Sequence, residues 1–432
     1  MLPKAKFTVK NKNLMKNFIL KTFDRFKSAV SNTALIFQRE LVLLLSDLGV
    51  TILLLIVPVV YPFLYSLIYY PEVVRDLPVA VVDMSQSADS RAFVRKLNAT
   101  PDLDIRYECI SMEEASEKFR KRENRGIILI PETYSSDLAL GRQAVVSLYA
   151  DMEFFLYYKA MVMGAGLVSI EEGNNIQVKR LLNAGFSERQ AEVFSNPFVI
   201  SGNTIANHAG GFASYGIPAA LMLIIQQTLV LAIGIMAGTA RERHKLGTLI
   251  PCDLRRMGTF RMVLGKAAAY FLIYAVMCFY MLGAIPAWFG YPDKAGFSEL
   301  VALMVPYLLS AIFFGLSLSV FFKNRETPML LYLFLSLPLL FLSGIIWPLS
   351  NMSPWWQVVR SIFPSSHAML GYIKMNSLGA GIAETSHEIA MLWKLTAFYF
   401  VLACLVYKTQ ITKVKNLVLN AGHLNNPTVP AN

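Results

Sequence analysis

The stretch LFLSLPLLFLSGIIWPLSNMSPWWQ, residues 333–357, begins as an apolar helix of membrane length and is then interrupted by helix-breaking residues. The interruptions fall at Ser343-Gly344, at Pro348 and at Pro354. A break at membrane depth frees backbone polar groups that lipid cannot satisfy, so it is tolerated only where protein or a water-filled cavity covers it. The stretch therefore predicts a membrane-embedded chain with a gate or substrate path near these residues.

The composition of the 432-residue chain is that of an integral membrane protein. Hydrophobic residues make up 55% of it and charged residues only 16%, and the mean hydropathy is +0.46. A soluble chain carries about 25% charged residues. The net charge of +11 comes from basic residues in short segments beside the apolar runs, so it predicts membrane orientation and no nucleic-acid partner. The four cysteines are far apart and predict neither a disulfide framework nor a zinc site.

Six segments approach the about 20 apolar residues that a membrane-spanning helix requires. We predict spans at about 44–69, 217–239, 262–289, 300–322, 329–347 and 392–407. The resulting domains are a tail with an amphipathic interfacial helix (1–43), the first span (44–70), an extracytoplasmic α/β domain with a helical arm (71–216), the remaining spans (217–408) and a second tail (409–432). A plain extension of the first span is the alternative to the interfacial helix.

The positions of the basic residues predict the orientation of these spans. They concentrate at the N-terminus, between the second and third spans, at Lys323–Arg325 and after Tyr407. Because Lys and Arg in short loops stay on the cytoplasmic side, both termini are expected inside the cell and the 71–216 segment outside. The basic N-terminus lacks a short apolar core with a cleavage site, so we expect no cleaved signal peptide.

The segment between the first two spans alternates strand and helix patterns. Strands are expected at 77–83, 105–110, 126–131 and 145–151, and helices at 90–97, 113–122 and 135–140. The first strand, LPVAVVD, is an apolar and β-branched run that is typical of a buried strand. The alternation predicts a small open sheet covered by helices, followed by a mostly helical arm at 153–191.

Enzymatic signatures are absent from the sequence. It has no GxxxxGK[ST] loop, no HExxH and no GxSxG motif, so we expect no catalytic residue, metal ligand or bound cofactor in this chain. His367 and His387 are expected to be polar loop residues. Two alternatives to transport remain open: an integral membrane enzyme acting on lipid, with Asp47 and Glu326 as isolated candidates, and a membrane sensor or scaffold.

The segment GTARERHKLGTLIPCDLRR, residues 238–256, follows the second span. Charged residues crowd its start, and an apolar helix face comes after them. One interpretation is charge that only fixes orientation. The other is a docking helix for a soluble partner, because orientation requires neither Glu242 among the basic residues nor the apolar face. The residues alone leave both interpretations open.

Five segments, in order along nearly the whole chain, resemble a permease subunit of the type-2 ABC transporter family. The similarity is greatest to the bacterial branch with a large periplasmic domain that works with membrane-fusion proteins. The segments are QRELVLLLSD, DLPVAVVDMSQSADSRAFVRKLNATPDLDI, RGIILIPETYSSDLALGRQAVVSLYAD, RERHKLGTL and LSGIIWPLSNMSPWWQVVRSIFPSSHAMLGYIKMNSLGAG. The resemblance implies a six-helix membrane fold of the type-2 exporters, with the α/β domain inserted between helices 1 and 2.

The resemblance assigns roles to particular residues. RERHKLGTL is similar to the family's ExExGT-like segment, which implies a coupling helix at 241–256 contacting the ATPase through Glu242, Arg243, His244 and Gly247. The chain has Ile250-Pro251 where the family often has Thr-Pro. LSGIIWP implies a re-entrant gate at 343–390, shaped by Ser343, Gly344, Trp347 and Pro348. Trp355 and Trp356 are expected at interface depth, where indoles favour the membrane boundary.

The implied function is ATP-driven export across the bacterial inner membrane. ATP and magnesium would bind to separate ABC ATPase subunits and not to this chain. The permease would pair with a second copy or with a paralogue, and a periplasmic membrane-fusion protein is a further implied partner. Because the spans carry few charges, the expected substrate is amphipathic or hydrophobic.

Overall fold

The structure is a computed structural model that describes residues 27, 29–70, 72–198, 207, 211, 213–243 and 258–424, with side chains as far as Lys413 except that of Tyr215. The chain forms two compact units, and each has an apolar core of its own. We call residues 1–70 together with 205–432 the membrane unit, and residues 71–204 the sheet unit.

Of the described residues before the sheet unit, those of the membrane unit form two helices: α1 (29–46) and α2 (Leu48–Ile68). Asp47 lies between them, and its Oδ1 accepts the Val50 amide at 3.2 Å, so Asp47 caps the start of α2. Helix α1 buries Ile36, Glu40 and Leu44, which are four residues apart on one face. The predicted amphipathic pattern is therefore present in α1, while its position at a membrane surface stays a prediction.

The sheet unit contains, in chain order, β1 (Leu77–Asp83), α3 (Ala88–Asn98), β2 (Leu103–Cys109), α4 (Met112–Arg120), β3 (Gly126–Ile130), α5 (Tyr134–Ala139), β4 (Ser147–Ala150), α6 (Phe155–Asn183) and α7 (Glu188–Ser195). The strand order is β2-β1-β3-β4, in which β1 pairs in parallel with β2 and β3, and β4 is antiparallel. The predicted small α/β sheet is confirmed, and each strand lies within two residues of its expected ends.

Strand β1 is buried on both faces. Val79 and Val81 face one apolar core of the sheet unit, whereas Ala80 and Val82 face the other. Successive side chains of a strand point to opposite faces, so a strand covered on both sides requires an unbroken apolar run. The sequence LPVAVV meets that requirement.

Helix α6 covers one face of the sheet with its first half. Met161, Ala165 and Val168 are buried in the core that also contains Val79 and Val81. From Ser169 to Asn183 no residue of α6 is buried. The first half of α6 therefore belongs to the core of the sheet unit. Only its second half has no buried residue, as a projecting helical arm would.

The remaining described helices of the membrane unit are, in chain order, α8 (Ala213–Glu242), α9 (Thr259–Phe289), α10 (Phe297–Leu318), α11 (Thr327–Leu342), α12 (Pro354–Ser361), α13 (Pro364–Leu378) and α14 (Ser386–Leu424). Helices α2, α8, α9, α10 and α14 are each long and apolar enough to cross a membrane. Helix α11 is apolar but has only 16 residues, below the about 20 needed for a perpendicular span. Crossing by a sixth helix therefore stays a prediction.

Small residues let the backbone of α8 approach its neighbours closely. A Cβ added at Gly315 of α10 would lie 2.8 Å from Ile233 Cδ1 and 3.5 Å from the Cα of Val230. Gly238, near the end of α8, lies against the backbone of Asn324 and leaves no room for a Cβ. Small residues at such crossings are typical of helices packed within a membrane. They place the end of α8 beside the turn that connects α10 to α11.

Candidate functional site

Helix α11 ends where the sequence predicts a break. Its last residue is Leu342, and the Ser343 hydroxyl donates to the carbonyl of Leu340 at 2.6 Å. The amide of Ile345 donates to the same hydroxyl at 3.2 Å. Gly344 has φ +87°, in the left-handed region that glycine enters without a Cβ clash. Ser343 and Gly344 thus stop the helix through local hydrogen bonding and backbone geometry.

The carbonyls released by this break bind a buried arginine that the sequence reasoning did not identify. Arg360 of α12 is only 7% exposed. Its Nε donates to the carbonyl of Leu342 at 3.2 Å, and its Nη2 donates to those of Ser366 at 3.0 Å and, more weakly, Ser343 at 3.5 Å. A cationic side chain at a helix C-terminus satisfies carbonyls and complements the helix dipole. Protein therefore covers the break, as a break at membrane depth requires.

A second polar contact lies at the start of α13. Gln226 of α8 is fully buried, and its Oε1 accepts the amide of Ser365 at 2.7 Å. The Nε2 of Gln226 and the hydroxyls of Ser365 and Ser366 are buried and have no hydrogen-bond partner within the part of the chain that the structure describes. Buried polar groups without a partner are rare in folded proteins. The region that follows the break is therefore polar inside an otherwise apolar core.

Two of the other residues predicted at the gate lie in the short connection after the break. Pro348 precedes a single helical turn at Leu349–Asn351, and the indole of Trp347 donates to the carbonyl of Asn351 at 3.3 Å. Trp347, Trp355 and Trp356 are all at least half exposed. Their outward position suits anchoring in an interface better than a contact inside the bundle.

The expectation of loop histidines is wrong. His367 lies in α13, is 4% exposed, and places its Nε2 3.2 Å from the carbonyl of Ser361. His387 lies in the first turn of α14. The sequence signals for α13 were present, because Pro364 favours a first helical turn and Gly379, with φ +72°, ends the helix.

An ion pair lies at the opposite end of α11. Arg325 lies just before α11. Its Nη1 donates to Oδ2 of Asp47 at 2.7 Å, and its Nη2 donates to Oδ1 at 2.7 Å. The guanidinium lowers the pKa of Asp47 to about 2, and the carboxylate raises that of Arg325. Asp47 is therefore not an isolated acid, as the membrane-enzyme alternative supposed, but the partner of an arginine.

The same turn contacts the end of α8. Arg325 donates from Nη1 to the Thr239 hydroxyl at 3.2 Å, and from its amide to the Glu242 carboxylate at 3.1 Å. Arg241 donates to the carbonyls of Ser319 and Phe322 in the α10–α11 connection. The start of α2, the end of α8 and this connection therefore form one hydrogen-bonded group, which we call the Arg325 network.

Of the four residues predicted to contact the ATPase, two lie in the part of the chain that the structure describes. Glu242 belongs to the Arg325 network, and the exposed Arg243 uses its backbone amide to bond the carbonyl of Thr239 at 3.1 Å. His244 and Gly247 lie outside the described residues, as does the predicted coupling helix beyond Arg243.

Helix α1 is fixed to α9 by a buried ion pair. The Nζ of Lys266 lies 2.5 Å from Glu40 Oε2, and both side chains are at most 6% exposed. Ile36 and the carbonyl of Thr33 pack against Gly265, next to this lysine. Charge and close packing therefore hold α1 along α9.

Comparison with known proteins agrees with this arrangement. The profile of the ABC-2 family transporter proteins matches residues 49–405, which include α11, the break and the sheet unit. The chain is similar to the linearmycin resistance permease protein of Bacillus subtilis (strain 168), with 22% identity over 338 residues. That similarity covers 74% of this chain and 85% of the relative.

Proposed function

The chain belongs to the ABC-2 family of transporter proteins, and on that premise we propose that it is the permease subunit of an ATP-driven exporter. ATP and magnesium bind to separate cytoplasmic ABC ATPases, which dock on this chain. Two permeases, identical or paralogous, enclose the substrate path between them.

The observation that carries this proposal is the position of α11. Its N-terminal end follows directly on the Arg325 network, beside the residues assigned to ATPase docking, and its C-terminal end is the break held by Arg360. At 1.5 Å per residue a 16-residue helix is about 24 Å long. A push at the docking end therefore reaches the break through one helix, without a chain of separate contacts.

Docking is assigned to the end of α8 and the coupling helix at 241–256. Arg243 is exposed, so its side chain is free to meet an ATPase, whereas Glu242 also holds the α10–α11 turn. A displacement of this segment changes the contacts that Arg325 makes with α2 and α8. The basic residues around it favour a cytoplasmic location.

The gate is assigned to the segment 343–390. Opening requires α11 and α12 to separate, which removes Arg360 from the carbonyls of Leu342 and Ser343. Buried hydrogen bonds to a charged group are costly to leave unmade, so the closed arrangement is favoured until ATP binding supplies the difference. Ser343 and Gly344 provide the flexible point.

The proposed substrate is an amphipathic or hydrophobic compound that moves outward. The spans carry few charges, and the similar permease of Bacillus subtilis is named for resistance to linearmycin, an effect that export of a harmful compound would produce. In the proposed bacterial inner membrane both termini lie in the cytoplasm. The sheet unit then lies in the periplasm, where a membrane-fusion protein is a suitable partner.

Co-purification with a candidate ABC ATPase tests the assignment. Arg243→Glu should weaken the complex and uncouple ATP hydrolysis from transport, because it reverses an exposed charge without removing the backbone hydrogen bond of Arg243. The matched control is Glu188→Lys, an exposed charge reversal in α7 of the sheet unit. Unchanged complex formation and transport in the Arg243→Glu variant would exclude the docking assignment.

A further inference from the structure

An apolar slot lies between α9 and α10, and none of its lining residues belongs to the break or to the Arg325 network. It encloses about 500 Å³. Its walls are almost entirely apolar, with Phe271, Leu282 and Gly283 on α9 and Leu300, Met304 and Leu308 on α10. Both helices are long and apolar enough to span a membrane, and the lining side chains of Phe279 and Phe297 are exposed at the open side of the slot.

Small residues of α9 make room for part of the slot. Ala275, Cys278 and Gly283 line it, opposite the larger side chains of α10. Gly283 lies in a π-helical turn, Tyr280–Ala284, and a Cβ added there would meet no heavy atom within 4 Å. π-Helical turns are rare in proteins as a whole, and those that occur are frequently found at functional sites. The local sequence thus creates space that the rest of the core does not fill.

The dimensions of the slot select the kind of occupant. From Phe271 to Gly283 the helix rises about 18 Å, somewhat more than half of the about 30 Å hydrocarbon core of a membrane. A helix of a second copy, about 10 Å wide, would need more than twice the 500 Å³ available. A single acyl chain is thin enough and has the matching length.

The mouth of the slot carries one charge. Asp293, in the connection between α9 and α10, lines the slot and is exposed. Among the residues that line the slot, the only other ionisable group is the thiol of Cys278. A carboxylate at the end of an apolar slot is complementary to an ammonium group attached to an acyl chain.

We propose that the slot between α9 and α10 binds one acyl chain of a membrane phospholipid with an ethanolamine headgroup, whose ammonium contacts Asp293. The lipid fills the space beside the π-helical turn and is a resident of this permease, separate from the substrate path. The proposal rests on membrane embedding alone and not on the assigned direction or substrate of transport.

The full-length chain, reconstituted in nanodiscs of equimolar phosphatidylethanolamine, phosphatidylglycerol and phosphatidylcholine, provides the test. After extraction into mild detergent, native mass spectrometry measures which phospholipids stay bound. We expect retained phosphatidylethanolamine to be enriched about fivefold over phosphatidylglycerol, as for a charge-assisted contact at a partly exposed site. Asp293→Asn should abolish the enrichment while a phospholipid is still retained.

Two further variants separate the slot from the headgroup contact. Gly283→Leu fills the slot and should remove retained phospholipid of every class, and Ala275→Leu narrows the same slot if the first variant does not purify. Glu299→Gln and Val276→Leu, a nearby carboxylate and a nearby apolar residue that do not line the slot, should behave as the unaltered chain.

Three results would overturn the proposal. The first is equal phospholipid retention in the unaltered chain and the Gly283→Leu variant. The second is an ethanolamine preference that survives Asp293→Asn or that is lost equally with Glu299→Gln. The third is a disulfide-linked dimer formed through Gly283→Cys in membranes, which would assign the slot to a second copy of the chain.

Discussion

Arg325 holds Asp47 with both terminal nitrogens at 2.7 Å, although 278 residues separate the two in sequence. The planar guanidinium and the carboxylate match in shape, so this contact fixes direction as well as distance. It joins the first residue before α2 to the turn before α11. Since the Arg325 side chain also bonds Thr239 of α8, and its backbone amide bonds Glu242, this one residue connects three helices beside the proposed docking segment.

Arg325→Lys is expected to reduce ATP-coupled transport more than it reduces stability. Lysine keeps the charge but cannot contact both oxygens of Asp47 and the Thr239 hydroxyl together. Because the pair is partly exposed, the loss of stability should be only about 1 kcal/mol. Transport in proteoliposomes and thermal unfolding in detergent measure the two effects. Glu326→Gln, which alters the next residue, is the control, and an equal loss of transport there would contradict the expectation.

The contribution of Asp47 to stability should depend on pH below about 4 and not above it. Its pKa in the folded chain is lowered to about 2, so the unfolded chain binds the proton first as the pH falls. The stabilisation is therefore complete above the ordinary carboxyl pKa of about 4 and is lost as the pH falls towards 2. The difference in unfolding temperature between the unaltered chain and Asp47→Asn should be constant from pH 8 to 5 and shrink below pH 4. A difference that already changes between pH 7 and 5 would point to another group.

Arg360→Gln should destabilise the membrane unit by about 3 kcal/mol, because buried carbonyls at the end of α11 lose a charged donor. Arg360→Lys should recover part of the loss, since an ammonium can reach one carbonyl but not all three. Thermal unfolding of the purified chain provides the measurement. Val358→Gln, at an exposed position of the same helix, is the control and should unfold within a degree or two of the unaltered chain.

Gly344→Ala should destabilise the break by about 1–2 kcal/mol. The residue has φ +87°, which costs an L side chain about that much, and its Cβ would lie 2.7 Å from Leu349 Cδ2. Leu349→Ala removes that contact, so the double variant reports the backbone strain alone. If Gly344→Ala costs nothing in either background, as judged by thermal unfolding, then glycine is not required at the break.

The local elements of this fold could be predicted because each follows from neighbouring residues. The apolar run of β1 specifies a strand buried on both faces, and Ser343-Gly344 stops α11 through bonds within three residues. The apolar length of α2, α8, α9, α10 and α14 likewise marks them as candidate spans. Such signals require no knowledge of distant contacts.

The groups that hold the candidate site together could not be predicted, because their partners are distant in the chain. Arg360 lies 18 residues after Leu342, with a second helix break between them. In the sequence alone it cannot be distinguished from an arginine at a membrane interface. Asp47 was interpretable only as an isolated acid until Arg325 was placed beside it. His367 was misplaced for a different reason, since Pro364 and Gly379 are helix signals that a loop interpretation overlooked.

The buried pair of Glu40 and Lys266 should show strong coupling in a double-mutant cycle. Lys266→Met alone leaves the Glu40 carboxylate buried without its cation and should cost about 3–5 kcal/mol, or prevent α1 from packing on α9. Glu40→Gln combined with Lys266→Met removes both charges, so neither partner is left as a buried charge without its counterion. The double variant should therefore be more stable than Lys266→Met alone, by thermal unfolding and by protection of α1 from proteolysis. Additive losses would contradict this expectation, because independent sites add and directly interacting charges do not.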